Sequence, residues 1–194
     1  MDDIRKKVLG RQDPIVNEKL KNAKVSVLGC GGLGSNIAMT LARAGVGELY
    51  LYDFDTIEYS NLNRQNFTLD ELGGDKALLT KKKIESTLPY VKCHNQNIYL
   101  TTENMDTIAH KTDIFIEAFD NKESKTMLFD YFVGRKDKYL ISGTGVSGLG
   151  ELSDIKIKQI DNVTLIGDFT SNPDEGLYLS LIHIWRCRRR LRCR

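Results

Sequence analysis

One segment limits the fold more than any other. Val25-Ser26-Val27-Leu28 runs directly into Gly29-Cys30-Gly31-Gly32-Leu33-Gly34, after which Leu33, Ile37, Leu41 and Ala44 recur at helical spacing. A short apolar strand, a glycine turn and an amphipathic helix in this order let backbone amides approach a phosphate closely. Gly29, Gly31, Gly32 and Gly34 are therefore candidate nucleotide-binding positions. A second strand, 48–52, ends at Asp53, which lies 19 residues beyond Gly34, close to the spacing expected of a carboxylate that accepts hydrogen bonds from a ribose. No Gly-Lys-Ser/Thr follows, so this is not a Walker A loop, and cations for a polyphosphate must come from elsewhere. Dinucleotide-dependent oxidoreductases share the turn and the aspartate. The segment by itself leaves hydride transfer, nucleotidyl transfer and a tight turn without a ligand all open.

The alternation continues downstream. Periodicity predicts a helix over 75–88, a strand over 91–98, a helix over 102–110 and a strand over 113–119. A helix over 122–133 follows, with Met127, Leu128, Tyr131 and Phe132 on one face, and then a strand over 139–142. Repeated strand and helix imply an α/β fold with a Rossmann-like, doubly wound, mostly parallel sheet covered on both faces. Segments 152–160 and 163–168, joined at Asp161-Asn162, read as an antiparallel hairpin appended to that sheet. Residues 1–22 form a polar N-terminal helical arm, and 23–178 the nucleotide-binding domain.

Charge has to be divided before it is interpreted. The formal net charge is +2, but the last sixteen residues hold six arginines and no acid, leaving 22 basic against 26 acidic side chains in the body. A globally basic nucleic-acid binder is excluded on that count. The run from Leu179 to Arg189, with the chain's one tryptophan at Trp185, resembles a translated sequencing-library adaptor. We therefore expect 179–194 to be a non-native tail and the native domain to be truncated near Tyr178. The body keeps only Cys30 and Cys93 and has no C-x-x-C, so neither a disulfide framework nor a zinc site is indicated. No apolar run approaches membrane-spanning length, and Met1-Asp2-Asp3 does not begin a signal peptide; a cytoplasmic protein without membrane contact is the expectation.

The loop after the second strand carries a set of charges suited to a triphosphate. It reads Asp53-Phe54-Asp55-Thr56-Ile57-Glu58-Tyr59-Ser60-Asn61-Leu62-Asn63-Arg64-Gln65, with Lys76 entering the next helix. A doubly wound sheet puts this loop at the carboxyl edge, over the ligand crevice. There Arg64 forks onto phosphate oxygens, Lys76 acts as a point charge and Asn61 donates an amide hydrogen bond. A solvated polar loop is the competing reading. Asp120-Asn121, after the strand 113–119, stands at the same edge. An aspartate beside a polyphosphate needs a divalent cation between them, which makes Asp120 a candidate Mg²⁺ ligand; an N-cap for the following helix is the alternative.

These segments together, Gly29 to Ser35, Asp53-Phe54-Asp55, Ser60 to Gln65, Lys76 and Asp120-Asn121, resemble the ThiF/MoeB/HesA family of ubiquitin-activating-enzyme-like adenylyltransferases over residues 11–176. The chain looks most like the short, zinc-free ThiF branch that activates the sulfur carrier of thiamine biosynthesis. The resemblance implies adenylylation, with Mg-ATP, of the C-terminal Gly-Gly carboxylate of a small ubiquitin-fold sulfur carrier, with release of pyrophosphate. It implies Asp53 at the ribose, Asp55 among the nucleotide-binding residues, Asn61, Arg64 and Lys76 at the phosphates, and Asp120 at magnesium. It also implies a homodimer in which Arg11 reaches the neighbour's phosphates, with Arg5 as the substitute candidate.

A carboxylate is a poor electrophile and ATP carries several negative charges, so their encounter needs cations at the α-phosphate and at the departing pyrophosphate. The attacking carboxylate is already ionised near neutral pH and needs no general base. Two other functions remain: a NAD(P)-dependent oxidoreductase, which gives Arg64, Lys76 and Asp120 no role, and a catalytically silent scaffold that docks a ubiquitin-fold partner. Cys30, Cys93, His94 and His110 are expected to be structural, and Lys81-Lys82-Lys83 to be the solvated side of a helix. The run Gly143 to Gly150 suits either a channel for a thin Gly-Gly tail or a plain connection to the hairpin.

Overall fold

A computed structural model describes residues 1–144 and 155–169. Two helices, α1 (Asp2–Leu9) and α2 (Pro14–Asn22), precede β1 (Lys24–Leu28), α3 (Gly32–Ala44) and β2 (Glu48–Asp53). Then come α4 (Lys76–Thr87), β3 (Lys92–Asn97), α5 (Met105–Ala109), β4 (Ile114–Glu117), α6 (Lys122–Phe132), β5 (Tyr139–Thr144), β6 (Lys156–Ile160) and β7 (Val163–Gly167). The sheet order is β3-β2-β1-β4-β5-β7-β6, parallel except for β6, which runs antiparallel on β7. The expected α/β architecture and the appended hairpin are both present.

Strand alternation divides the core between the two faces. Val25, Val27, Leu49, Leu51 and Cys93 pack against Ala38 and Ala42 of α3 and Ala77 and Ile84 of α4. Leu28, Phe115 and Leu140 pack on the other side against Met105 and Ile108 of α5 and Leu128 and Phe132 of α6. The Phe115 and Phe132 rings meet with centroids 4.5 Å apart. Each Val, Leu, Ile, Phe or Met side chain among these stabilises the fold by about 1.5–3 kcal/mol on removal from water. The chain leaves β1 toward β2 on one side and returns through β4 on the other, so the order reverses between β1 and β4. That reversal opens a crevice at their carboxyl ends.

Several boundaries depart from expectation for identifiable reasons. The helix predicted over 102–110 shrinks to α5, because Asn104 accepts the Thr101 amide through Oδ1 at 2.9 Å and donates to the Tyr99 carbonyl, holding the preceding residues in a turn. Lys83 is not on a solvated face: its ammonium lies 2.7 Å from Glu71, donates to the Asn66 carbonyl at 2.6 Å and sits over the Phe67 ring. The hairpin is fastened by Asn162, whose buried amide donates to the carbonyls of Phe132, Arg135 and Lys138 and accepts from the Gly134 amide. The tail from Leu179, the run Gly145 to Gly150, and Leu152, Ser153 and Asp154 lie outside the described residues. No helix among those described is long and apolar enough to cross a membrane.

Candidate active site

The glycine turn has the shape its sequence implies. Gly29 adopts φ +96°, a conformation that L side chains rarely take, and a Cβ at Gly34 would collide with the Gly29 carbonyl. Gly31 caps α3 without a side chain, and the amides of Gly32, Leu33 and Gly34 open the helix with no carbonyl one turn behind them. They are free to receive an anion, aided by the helix dipole.

Asp53 ends β2 beneath this turn and is buried. Its Oδ2 accepts the Cys30 amide at 2.6 Å and its Oδ1 the Asp55 amide at 2.8 Å. Burial pushes the Asp53 carboxyl above its ordinary value, opposed by those two amides, which favour the ionised form. A carboxylate so fixed, with lone pairs left over, suits the hydroxyls of a ribose. Phe54 and Tyr99 stand beside it, edge to face at 4.8 Å and both exposed, an aromatic wall that sequence reasoning missed.

The loop from Phe54 to Asp75 closes on itself at its base. The Ile57 amide donates to the Gly74 carbonyl, the Gly73 amide to the Ile57 carbonyl, and the Lys76 amide to the Asp55 carbonyl. This closure brings Lys76 to Asp55, Nζ to Oδ2 at 2.8 Å. Glu58 and Asn61 cap a 3₁₀ turn, Tyr59–Asn61, in which the Asn61 Oδ1 accepts the Glu58 amide; the Asn61 Nδ2 keeps only a long contact of 3.5 Å to Ser60. The loop then crosses the first turn of α3. The aliphatic stem of Arg64 lies where a Cβ on Gly32 would touch it, and the Gln65 amide stands in the same way over Gly31. Arg64 Nη1 donates to the Ser60 carbonyl and to Asn63 Oδ1, leaving Nη2 and Nε for a ligand. Gln65 was not singled out from the sequence; its place beside a motif arginine was the available signal.

Asp120 is exposed and makes no hydrogen bond or ion pair among the described residues. It is not the N-cap of α6. That position belongs to Asn121, whose Oδ1 accepts the Ser124 amide at 2.8 Å. An oxygen ligand at the carboxyl edge fits Mg²⁺ as one of its ligands, the others being waters and phosphate oxygens, since Mg²⁺ keeps most of its hydration. No group of three or more acidic, histidine or cysteine side chains able to hold a metal occurs among the described residues.

The structure does not bring Arg11 to this crevice. Leu9, two residues before it, packs on Gly45 at the C-terminal end of α3, which is the opposite edge of the sheet; Arg11 itself is exposed and has no hydrogen-bond or ion-pair partner among the described residues. Arg5 is no substitute. It is buried, donates to the Gly45 carbonyl and lies over the Tyr90 ring. The two cysteines are structural as expected: burial pushes the Cys30 thiol well up, the Asp53 charge adding to it, and raises Cys93 to about 12. His94 stacks on Tyr50 and bonds Glu48 at 2.8 Å, while His110 makes only a local contact with the Asp106 carbonyl.

The chain is 35% identical over 127 residues to the sulfur carrier protein adenylyltransferase of Thermus thermophilus, covering 65% of this chain and 47% of that protein. It is 35% identical over 170 residues to the molybdopterin-synthase adenylyltransferase of Haemophilus influenzae, covering 87% and 64%. It thus spans roughly half to two thirds of the length of these relatives. Among solved structures, E. coli tRNA N6-threonylcarbamoyladenosine dehydratase, TcdA, in complex with AMP, superimposes with TM-score 0.71 at 25% identity, over 78% of this chain and 62% of that one. Residues 5–169, including the glycine turn, the Arg64 loop and Asp120, match the ThiF family model, and the chain belongs to that family.

Proposed function

We propose that this chain catalyses the ATP-dependent adenylylation of the C-terminal Gly-Gly carboxylate of a small ubiquitin-fold sulfur carrier, working as a homodimer in the cytoplasm. The observation that carries the reading is the convergence of Arg64, Lys76 and free helix-terminal amides on one glycine turn beside the fixed Asp53 carboxylate. A carboxylate oxygen of the carrier attacks the α-phosphorus, the α–β phosphoanhydride bond breaks, and pyrophosphate leaves. Arg64 and Lys76 meet the charge that develops on the phosphoryl oxygens, and the turn amides orient the polyphosphate. Asp53 holds the ribose, and the Asn61 amide donates to a phosphate oxygen. Asp120 would hold Mg²⁺, which when bound would supply charge neutralisation at the polyphosphate. In this reading Arg11, remote from its own crevice, reaches the phosphates of a second copy.

No thiolate step is assigned to Cys30 or Cys93, whose raised pKa values keep them protonated. A NAD(P)-dependent oxidoreductase leaves the Arg64 and Lys76 charges without a purpose, and a silent scaffold would dock the carrier without turnover. The two named relatives act, by name, on a sulfur carrier protein and on molybdopterin synthase; between a thiamine-type and a molybdopterin-type carrier we favour the thiamine type, on the resemblance of residues 11–176 to the short ThiF branch. The test is isotope exchange between ATP and pyrophosphate. It should require Mg²⁺ and a carrier ending in Gly-Gly, and be lost when the last glycine is deleted. Exchange that ignores the carrier terminus, or a thermal shift with NADH but not with Mg-ATP, would refute the proposal.

A further inference from the structure

Beside the crevice lies a second lysine–carboxylate cluster that the chemistry above does not use. Glu117 ends β4 and is 1% exposed, a costly place for a carboxylate unless it is fully bonded. It is: Lys125 Nζ lies 2.9 Å from each oxygen, the Phe119 amide donates to Oε1 at 2.6 Å, and the Ser142 hydroxyl donates to Oε2. Lys125 donates further to the Gly143 carbonyl at 2.6 Å. Three elements are thereby joined, the end of β4, the first turns of α6 and the end of β5. A lysine this near a helix N-terminus opposes the helix dipole, so local helical preference does not explain it.

The segments held by this cluster border the nucleotide turn. A Cβ at Gly34 would lie 3.2 Å from the Ala118 side chain, and one at Gly143 would lie 2.7 Å from Leu33. Asp120 falls between Phe119, tied to Glu117, and Asn121, tied to Ser124. Its own side chain is free, yet the backbone on both sides of it is pinned.

We propose that Glu117 and Lys125 are positioning residues for the nucleotide site, setting the Asp120 carboxylate and the Gly143 end of β5 at a fixed distance from the glycine turn. The inference rests on the adenylylation reading. Lys125 is not itself a phosphate ligand, because Glu117 neutralises its charge. Its effect passes through Asp120, so magnesium dependence is the property it controls.

The experiment is calorimetric titration of the full chain with ATP across a magnesium series, together with amide hydrogen exchange at residues 118–121. Lys125→Met should raise the magnesium concentration for half-maximal ATP affinity by about tenfold, since small misplacements of a ligand are costly. ATP affinity without magnesium should stay within about twofold of wild type, and exchange at the Phe119 amide should quicken. Lys125→Arg, whose guanidinium forks onto both Glu117 oxygens, should restore both readings. If Lys125→Met does not fold, Glu117→Gln combined with Lys125→Met removes the stranded charge and carries the same test. Wild-type magnesium dependence in a folded variant overturns the inference alone. A wild-type chain that binds no ATP overturns the adenylylation reading and this inference with it.

Discussion

Lys76–Asp55 and Lys125–Glu117 flank the same crevice at nearly the same separation, 2.8 and 2.9 Å, but they are built the opposite way round. In the first the lysine side chain is 7% exposed and the acid 47%; in the second the lysine is 23% exposed and the acid 1%. Burial therefore decides which partner is free to leave. Asp55, half exposed, turns into water at little cost of its own, while the buried Lys76 ammonium needs a replacement partner, which an arriving phosphate supplies. Glu117 has no water to turn to, so Lys125 stays where it is. Identical chemistry yields an exchangeable cation on one side and a fixture on the other.

The sharpest way to break this contrast is to remove the exchangeable charges. Arg64→Ala and Lys76→Met should each lower pyrophosphate exchange by about 10²–10³-fold, some 3–4 kcal/mol of transition-state stabilisation, while the urea midpoint hardly moves. The fixture should respond in reverse: Lys125→Met should cost about 3 kcal/mol of folding stability in urea titration, because it strands a buried carboxylate. A loss below about 1 kcal/mol would mean that Glu117 finds water and that the two pairs are alike.

What local pattern encodes, the sequence already displayed. The strand, glycine turn and helix around Gly29–Gly34, and Asp53 at the end of the next strand, follow from periods of two and 3.6 residues and from a spacing along one chain segment. Arg64 and Lys76 were legible as charges, but their arrangement was not, since it depends on loop closure between Ile57 and Gly74. Glu117, Lys125 and Ser142 left no signal, because they meet only when β4, α6 and β5 pack. Asp120 carried two readings, magnesium ligand and N-cap, and the cap went to its neighbour Asn121 because helical geometry starts α6 one residue later. Lys83 looked solvated within a run of three lysines, until Glu71 and Phe67 folded over it.

Smaller effects refine the contrast further. Lys83→Met should cost about 1–2 kcal/mol, as the loss of charge-assisted hydrogen bonds, and should weaken ATP binding by loosening the loop that carries Arg64; unchanged ATP affinity would separate that loop from the site. Asp55→Asn should change ATP affinity by no more than about fivefold, about 1 kcal/mol, because the bound phosphate takes over Lys76; a larger loss would make Asp55 a direct nucleotide ligand.

Glu48, on the far side of the sheet from the crevice chemistry, supplies a control by pH. Burial pushes its carboxyl up, but hydrogen bonds from Tyr50, His94 and Lys92 outweigh that and bring it from 4.5 to about 2. A folded value below the unfolded one means that ionised Glu48 stabilises the fold above about pH 4.5, and that this contribution disappears as the pH falls toward 2. The stability gap between wild type and Glu48→Gln should be full at neutral pH and close across that window, with pyrophosphate exchange unaffected at neutral pH. A gap that does not change with pH would contradict the assignment.

A bound triphosphate lies, in this reading, along the carboxyl edge on the glycine-turn amides and draws Lys76 away from Asp55. A crystal structure with magnesium and a non-hydrolysable ATP analogue tests it most directly. The account predicts phosphate oxygens within hydrogen-bonding distance of Arg64 and Lys76, the ribose on Asp53, and the Asp55 carboxylate turned outward. Phosphates bound elsewhere, with Lys76 still paired to Asp55, would contradict it.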